Sequence, residues 1–96
     1  MTAYIIIHVD VTDMEQYREY TKLTPAVIEQ YGGKFIVRNG NKVTLEGPEE
    51  TRRLVVLEFP TMEQAQAFYH SPEYAEAKAV REGAATGQFV AVEGLE

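Results

Sequence analysis

Arg52-Arg53-Leu54-Val55-Val56-Leu57-Glu58-Phe59-Pro60 opens a stretch, residues 52–74, that closes on Ser71-Pro72-Glu73-Tyr74. It holds a strand, a breaker, one helix and the start of another. Leu54, Val55, Val56, Leu57 and Phe59 are apolar on both parities, so this strand is covered on both faces and belongs at the centre of a sheet. After Pro60, Thr61 with Gln64 forms a capping box, and Met62, Ala65, Phe68 and Tyr69 supply the buried stripe of a helix. Ser71 caps again and Pro72 takes the first position of a further helix, whose Ala75, Ala77, Ala79 and Val80 give it a narrow apolar face.

Working outward, Ala3 to Val9 is β-branched-rich and apolar on both parities, a second central strand. Thr12 and Glu15 have capping-box spacing, and Met14, Tyr17, Tyr20, Val27, Ile28 and Tyr31 recur at mostly helical spacing, with a kink or break expected at Thr24-Pro25. Gly32-Gly33 ends that helix. Lys34 to Arg38 reads as a short strand and Asn39-Gly40 as a turn, and Val43-Thr44-Leu45 fits either another short strand or an extended loop. Gln88 to Val92 is the last strand and Gly94-Leu95-Glu96 a tail.

The 96 residues make a single domain, 1–96, able to bury only about 60 to 65% of its unfolded surface, so self-association would add useful burial. A formal charge of −6, with no stripe of Lys or Arg, argues against nucleic acid as a partner. No apolar run approaches the roughly 18 residues needed to span a bilayer and no leader pattern is present, which predicts no membrane partner and a cytoplasmic location. Without cysteine there is no thiolate chemistry, and His8 and His70 fit no metal spacing, so neither metal nor cofactor is expected. Redox work would need a bound cofactor or oxygen itself.

The order strand, helix, strand, strand, helices, strand predicts an α+β fold, the ferredoxin-like plait, with four antiparallel strands ordered 4-1-3-2 and helices on one face. Ile5, Ile7, Ile36, Val55, Leu57, Phe59, Val90 and Val92 are assigned by parity to one face and Leu54, Ile6, Val37 and Val56 to the other. One face meets the helices. The other calls for cover, most economically a second copy of the same sheet, which predicts a homodimer burying about 1,200 to 2,000 Å² or more.

Tyr17 and Tyr20, Gly32-Gly33, Val37-Arg38-Asn39-Gly40, Leu45-Glu46-Gly47, the Arg53 to Pro60 strand, Ser71-Pro72-Glu73-Tyr74 and Arg81 together resemble the domain of unknown function 1330 family, over nearly the whole chain. The resemblance implies a dimeric alpha-beta barrel. Asn39 stands where that family usually has a second glycine and Phe68 where it usually has tryptophan. Relatives in the wider superfamily include cofactor-free monooxygenases, lactone isomerases, haem-handling enzymes and stress-related proteins, so the resemblance implies a small-molecule pocket without choosing a chemistry.

Several side chains carry candidate roles. Arg38, closing a strand beside a turn, could hold a carboxylate or an enolate, or else pair with Glu46 or Glu58. His8 and Glu58 are the candidate acid–base groups, each with a structural alternative: a satisfied core or edge imidazole, and an ion-paired carboxylate. Ser71 is a cap whose helix start could also bind an anion, while Tyr74 and Arg81, two turns apart, can line one wall with it as substrate-binding residues. The six tyrosines could stack on a planar ligand or be plain core. The functions these imply are a cofactor-independent oxygenase or isomerase of a small organic acid or aromatic, a non-catalytic binding module, or a structural homodimer.

Overall fold

Alternation along β1 (Ala3–Val11) sets the two sides of the molecule: Ala3, Ile5, Ile7 and Val9 are buried, while Tyr4, Ile6 and His8 are only half-covered. The computed structural model describes residues 1–95; Glu96 of the expected tail lies outside the described residues. β1 pairs antiparallel with β3 (Arg53–Phe59) and β4 (Ala85–Glu93), and β2 (Lys34–Arg38) adds outside β3, giving the order β2-β3-β1-β4. This is the ferredoxin-like α+β plait. Helices α1 (Met14–Gln30), α2 (Met62–Tyr69) and α3 (Pro72–Val80) close over the buried parity, where Ile5, Leu57, Phe59, Phe68 and Tyr74 form the heart of the core.

The Thr61 and Ser71 caps form as expected, each side chain accepting the amide three residues on, Gln64 and Tyr74. The first helix differs. Its cap is Asp13, which accepts from the Gln16 amide, because Thr12 is drawn away to the Ala84 carbonyl at 3.0 Å. Pro25 does not break it: α1 runs unbroken, since Tyr17, Tyr20, Thr24 and Ile28 bury one continuous stripe that outweighs a single missing helical hydrogen bond. Gly33 has a steric reason: a Cβ there would lie 2.5 Å from the fully buried Phe59 ring.

Val43-Thr44-Leu45 is loop. The Thr44 hydroxyl accepts the Glu50 amide at 2.9 Å, folding the segment on itself and leaving Val43 and Leu45 79% and 93% exposed. Asn39 adopts the positive φ (52°) that its turn requires.

Register corrects the assignment of faces. Val90 and Val92 sit opposite Ile6 and Tyr4, and Val37 opposite Val56, so all belong to the face without helices. Ile36 is the extra residue of a bulge between Phe35 and Val37. Val37, Val90 and Val92 are exposed there, making the uncovered face more apolar than parity counting suggested.

Candidate functional site

Between α1 and the sheet lies a cavity of about 40 Å³. Tyr17, Tyr20, Thr21, Thr24 and Ile28 of α1 form its roof, Ile7, Val55 and Leu57 its floor, and Phe68 and Phe89 its aromatic end. Arg53, first residue of β3, enters because it shares the parity of Val55 and Leu57, and Arg38 enters from the end of β2. At roughly 10 to 15 Å³ per water, the space holds about three waters or the polar head of a small molecule.

Both guanidiniums lie against aromatic rings: Arg53 is 5.6 Å from the centre of Tyr17 and Arg38 is 4.4 Å from that of Phe35. A third arginine stands behind this wall. Arg81, at the end of α3, is 9% exposed and lies between the rings of Tyr20 and Phe89, at 5.4 and 5.3 Å. It is held there because the Gln16 side-chain amide donates to the carbonyls of Val80 and Glu82, both at 2.9 Å. The Tyr20 and Tyr74 hydroxyls, buried beside it, hydrogen-bond each other at 2.8 Å.

The electrostatics are one-sided. The Nε atoms of Arg53 and Arg81 are buried without a hydrogen-bond partner, and among the described residues no ion pair involves Arg38, Arg53 or Arg81. Burial raises the Tyr17 phenol above its ordinary pKa of 10.0, against the opposing pull of Arg53 and Arg81. Tyr20 is pushed up too, by burial and by Tyr74. Burial works to lower the pKa of Arg81, but the Tyr74 and Tyr20 hydroxyls more than compensate, so it stays charged. The site thus offers positive charge and neutral phenols at pH 7.

Of the residues singled out by sequence, Arg38 lines the cavity, and Tyr74 and Arg81 join it through Tyr20. Arg38 makes neither of the ion pairs considered for it; Glu58 faces Lys34 at 3.8 Å instead. Ser71 is occupied in the cap, its hydroxyl donating to the Phe68 carbonyl at 2.7 Å and accepting the Tyr74 amide at 3.0 Å. His8 and Glu58 are on the half-covered parity of β1 and β3, the opposite side of the sheet from the cavity. His8 there meets Glu50 at 3.6 Å. The expectation that they share the site with Arg38, Tyr74 and Arg81 is therefore corrected: the sheet stands between them. Phe68 is fully buried between Phe59 and Tyr74, with centroids at 5.3 and 4.9 Å, and borders the cavity.

The sequence reading gives Arg53 no site role, and Tyr17 and Tyr20 enter it, beyond their helical spacing, only through the family resemblance and as candidate stacking partners. A charged residue on the parity of Val55, Leu57 and Phe59 was the available signal for Arg53. A second, open groove of about 560 Å³ runs between the later helices and β4, lined in part by Tyr69, His70, Lys78, Arg81 and Phe89. Among the described residues no three His, Cys, Asp or Glu side chains cluster as metal ligands, and no helix is long and apolar enough to cross a membrane.

The architecture is that of a ferredoxin-like α+β domain with a small cavity between α1 and the sheet. Its family is recognisable as well: Domain of unknown function (DUF1330) matches residues 2–95, and the chain belongs to that family. No curated protein matches it. A protein of unknown function from Rhodopseudomonas palustris is similar over 99% of this chain and 83% of its own, at 22% identity and a TM-score of 0.78. A dimeric ferredoxin-like protein of unknown function from Jannaschia sp. CCS1 is similar over 98% of this chain and 100% of its own, at 12% identity and a TM-score of 0.71. SnoaB, a cofactor-independent oxygenase from Streptomyces nogalater, is similar over 99% of this chain and 94% of its own, at 8% identity and a TM-score of 0.70. At such identities the likeness is one of fold.

Proposed function

We propose that the protein is a homodimeric small-molecule enzyme of the cofactor-independent oxygenase or isomerase type, acting on a small organic acid or aromatic in the cavity under α1. The observation that carries this reading is the convergence of Arg38, Arg53, Tyr17 and Tyr20 on one aromatic-walled space, with the Arg53 Nε left unpartnered. Guanidiniums lining such an aromatic-walled space can stabilise negative charge that develops on a substrate oxygen, as in an enolate, and a neutral phenol can donate a proton there. The fold shared with SnoaB supplies a reaction class for comparison, though none of its residues.

Dimerisation through the uncovered sheet face supplies the second half of the proposal. Ile6, Val56, Val37, Val90 and Val92 make that face, and the Jannaschia protein with the same fold is dimeric. Melting temperature should then rise with protein concentration.

A second reading has its own observation. The cavity lining includes no carboxylate and no imidazole, which favours a binding module that holds its ligand unchanged. Small acids and aromatics that raise the melting temperature should be incubated with the protein in air, with oxygen uptake and product followed by electrode and NMR. Turnover, lost in Arg53→Gln, supports the enzyme; stabilisation without turnover of any ligand selects the binding module; absence of any ligand-induced shift refutes both.

A further inference from the structure

Among the described residues the arginines around the cavity have no ion-pair partner, although acidic residues outnumber basic ones in the chain, 15 to 9. Glu50 pairs with Arg52 and His8, Glu58 with Lys34, Glu19 with Lys22, and Glu73 hydrogen-bonds Tyr31, so these carboxylates are directed elsewhere. A buried guanidinium is costly unless its donors and charge are met, and here Arg81 is nine-tenths buried while its Nε and that of Arg53 are unmet. The phenols of Tyr17 and Tyr20 near them are held neutral by burial and cannot balance the charge.

Resting on the reading of this cavity as a small-molecule site, we infer that its ligand is a small monocarboxylate, the carboxylate seated on Arg53 beside Tyr17 and Tyr20, with Arg38 closing from β2 and the Arg81 charge behind Tyr20. Geometry supplies the selection. Arg53 and Arg38 line the space from adjacent strands, and Arg38 is exposed and, among the described residues, in no ion pair, so it can swing onto the anion. A volume of about 40 Å³ admits a head of a few heavy atoms and excludes a bulky dianion. Neutral aromatics, the other ligand class, would leave both guanidiniums unanswered.

The test is a titration of the nitrogen-15-labelled full chain, following the arginine Nε–Hε signals at constant ionic strength set with sodium chloride. Acetate and propionate are the probes, with acetamide and propionamide as neutral matches. The carboxylates should move the Arg53 signal saturably while the amides leave it in place, and Arg53→Gln should weaken acetate binding about tenfold or more. Should Arg53→Gln not fold, Arg38→Gln, changed at an exposed residue, should still lose several-fold. Amides that move the Arg53 signal, or the backbone signals of Tyr20 and Phe35, as strongly as the acids do would overturn the charge preference and leave the small-molecule site standing. No saturable movement with any of the four probes would overturn the monocarboxylate assignment, while the small-molecule reading itself stands or falls with the thermal screen of acids and aromatics.

Discussion

Replacing Tyr74 by Phe removes one oxygen from a buried polar contact in the protein's core. The Tyr74 ring is 1% exposed and packs on Phe68 at 4.9 Å and Tyr69 at 5.2 Å, contacts that phenylalanine keeps. What goes is the 2.8 Å bond to the Tyr20 hydroxyl, itself on a residue 7% exposed, and one of the two hydroxyls beside Arg81. A buried polar group left without its partner costs about 1 to 3 kcal/mol, and ring packing is unchanged, so the expected loss is about 1.5 to 2 kcal/mol. For a domain of this size that is a fall in melting temperature of about 6 to 16 °C. Urea unfolding at one fixed protein concentration measures it, since dimerisation would make stability concentration-dependent. Tyr69→Phe is the control: its hydroxyl accepts from Lys78 at 3.1 Å in an exposed setting, and its removal should cost less than about 0.5 kcal/mol. If Tyr74→Phe costs no more than Tyr69→Phe, the Tyr20–Tyr74–Arg81 network contributes nothing to stability and the reasoning fails.

Gly33→Ala should destabilise by about 1 to 3 kcal/mol in the same assay, because the new methyl meets the Phe59 ring, which is itself pinned by Phe68. Val90→Glu, placing a charge opposite Ile6 on the uncovered face, should yield a folded monomer in sedimentation at concentrations where the parent chain is dimeric; a parent chain that is already monomeric would defeat the dimer proposal. Glu50 is held down at about 2 by hydrogen bonds from Arg52, so whatever its carboxylate contributes to anchoring the loop is complete above the ordinary value of 4.5 and is lost as pH falls through 2. An NMR titration should find Glu50 moving part of the way back towards 4.5 in Arg52→Ala, which keeps the backbone donor; an unchanged midpoint would mean that the Arg52 side chain is not the cause.

The fold was legible because β3, α2 and α3 announce themselves locally. Apolar runs of fixed parity, Thr61 and Ser71 at the right distance from Gln64 and Tyr74, and Pro60 as a stop are short-range signals, and tertiary packing reinforces them. Where packing opposed a local signal the reading failed. Pro25 is held inside α1 by the buried stripe around it, and Thr12 gives up the cap to reach Ala84 across the molecule. The site was half legible for the same reason. Arg38, Tyr74 and Arg81 advertise themselves at element ends, but the distance from His8 or Glu58 to any of them is decided by which face of β1 and β3 meets the helices. Arg53, disguised as half of a basic pair, becomes informative only once the buried parity of β3 is known.

The bulge at Ile36 is a one-residue indel with a chemical result. Without the extra residue, side-chain alternation would continue evenly from Phe35, and position 38 would point away from the cavity, to the side now held by Val37. With it, Phe35 and Arg38 share the cavity side and stack at 4.4 Å. An arginine at the cavity mouth can thus be gained or lost here by insertion or deletion alone, with no codon for arginine created or destroyed. Two chains of this architecture with identical residues around the cavity can therefore differ in the charge that faces it, and an alignment that slides a gap through residues 35–37 would conceal the difference.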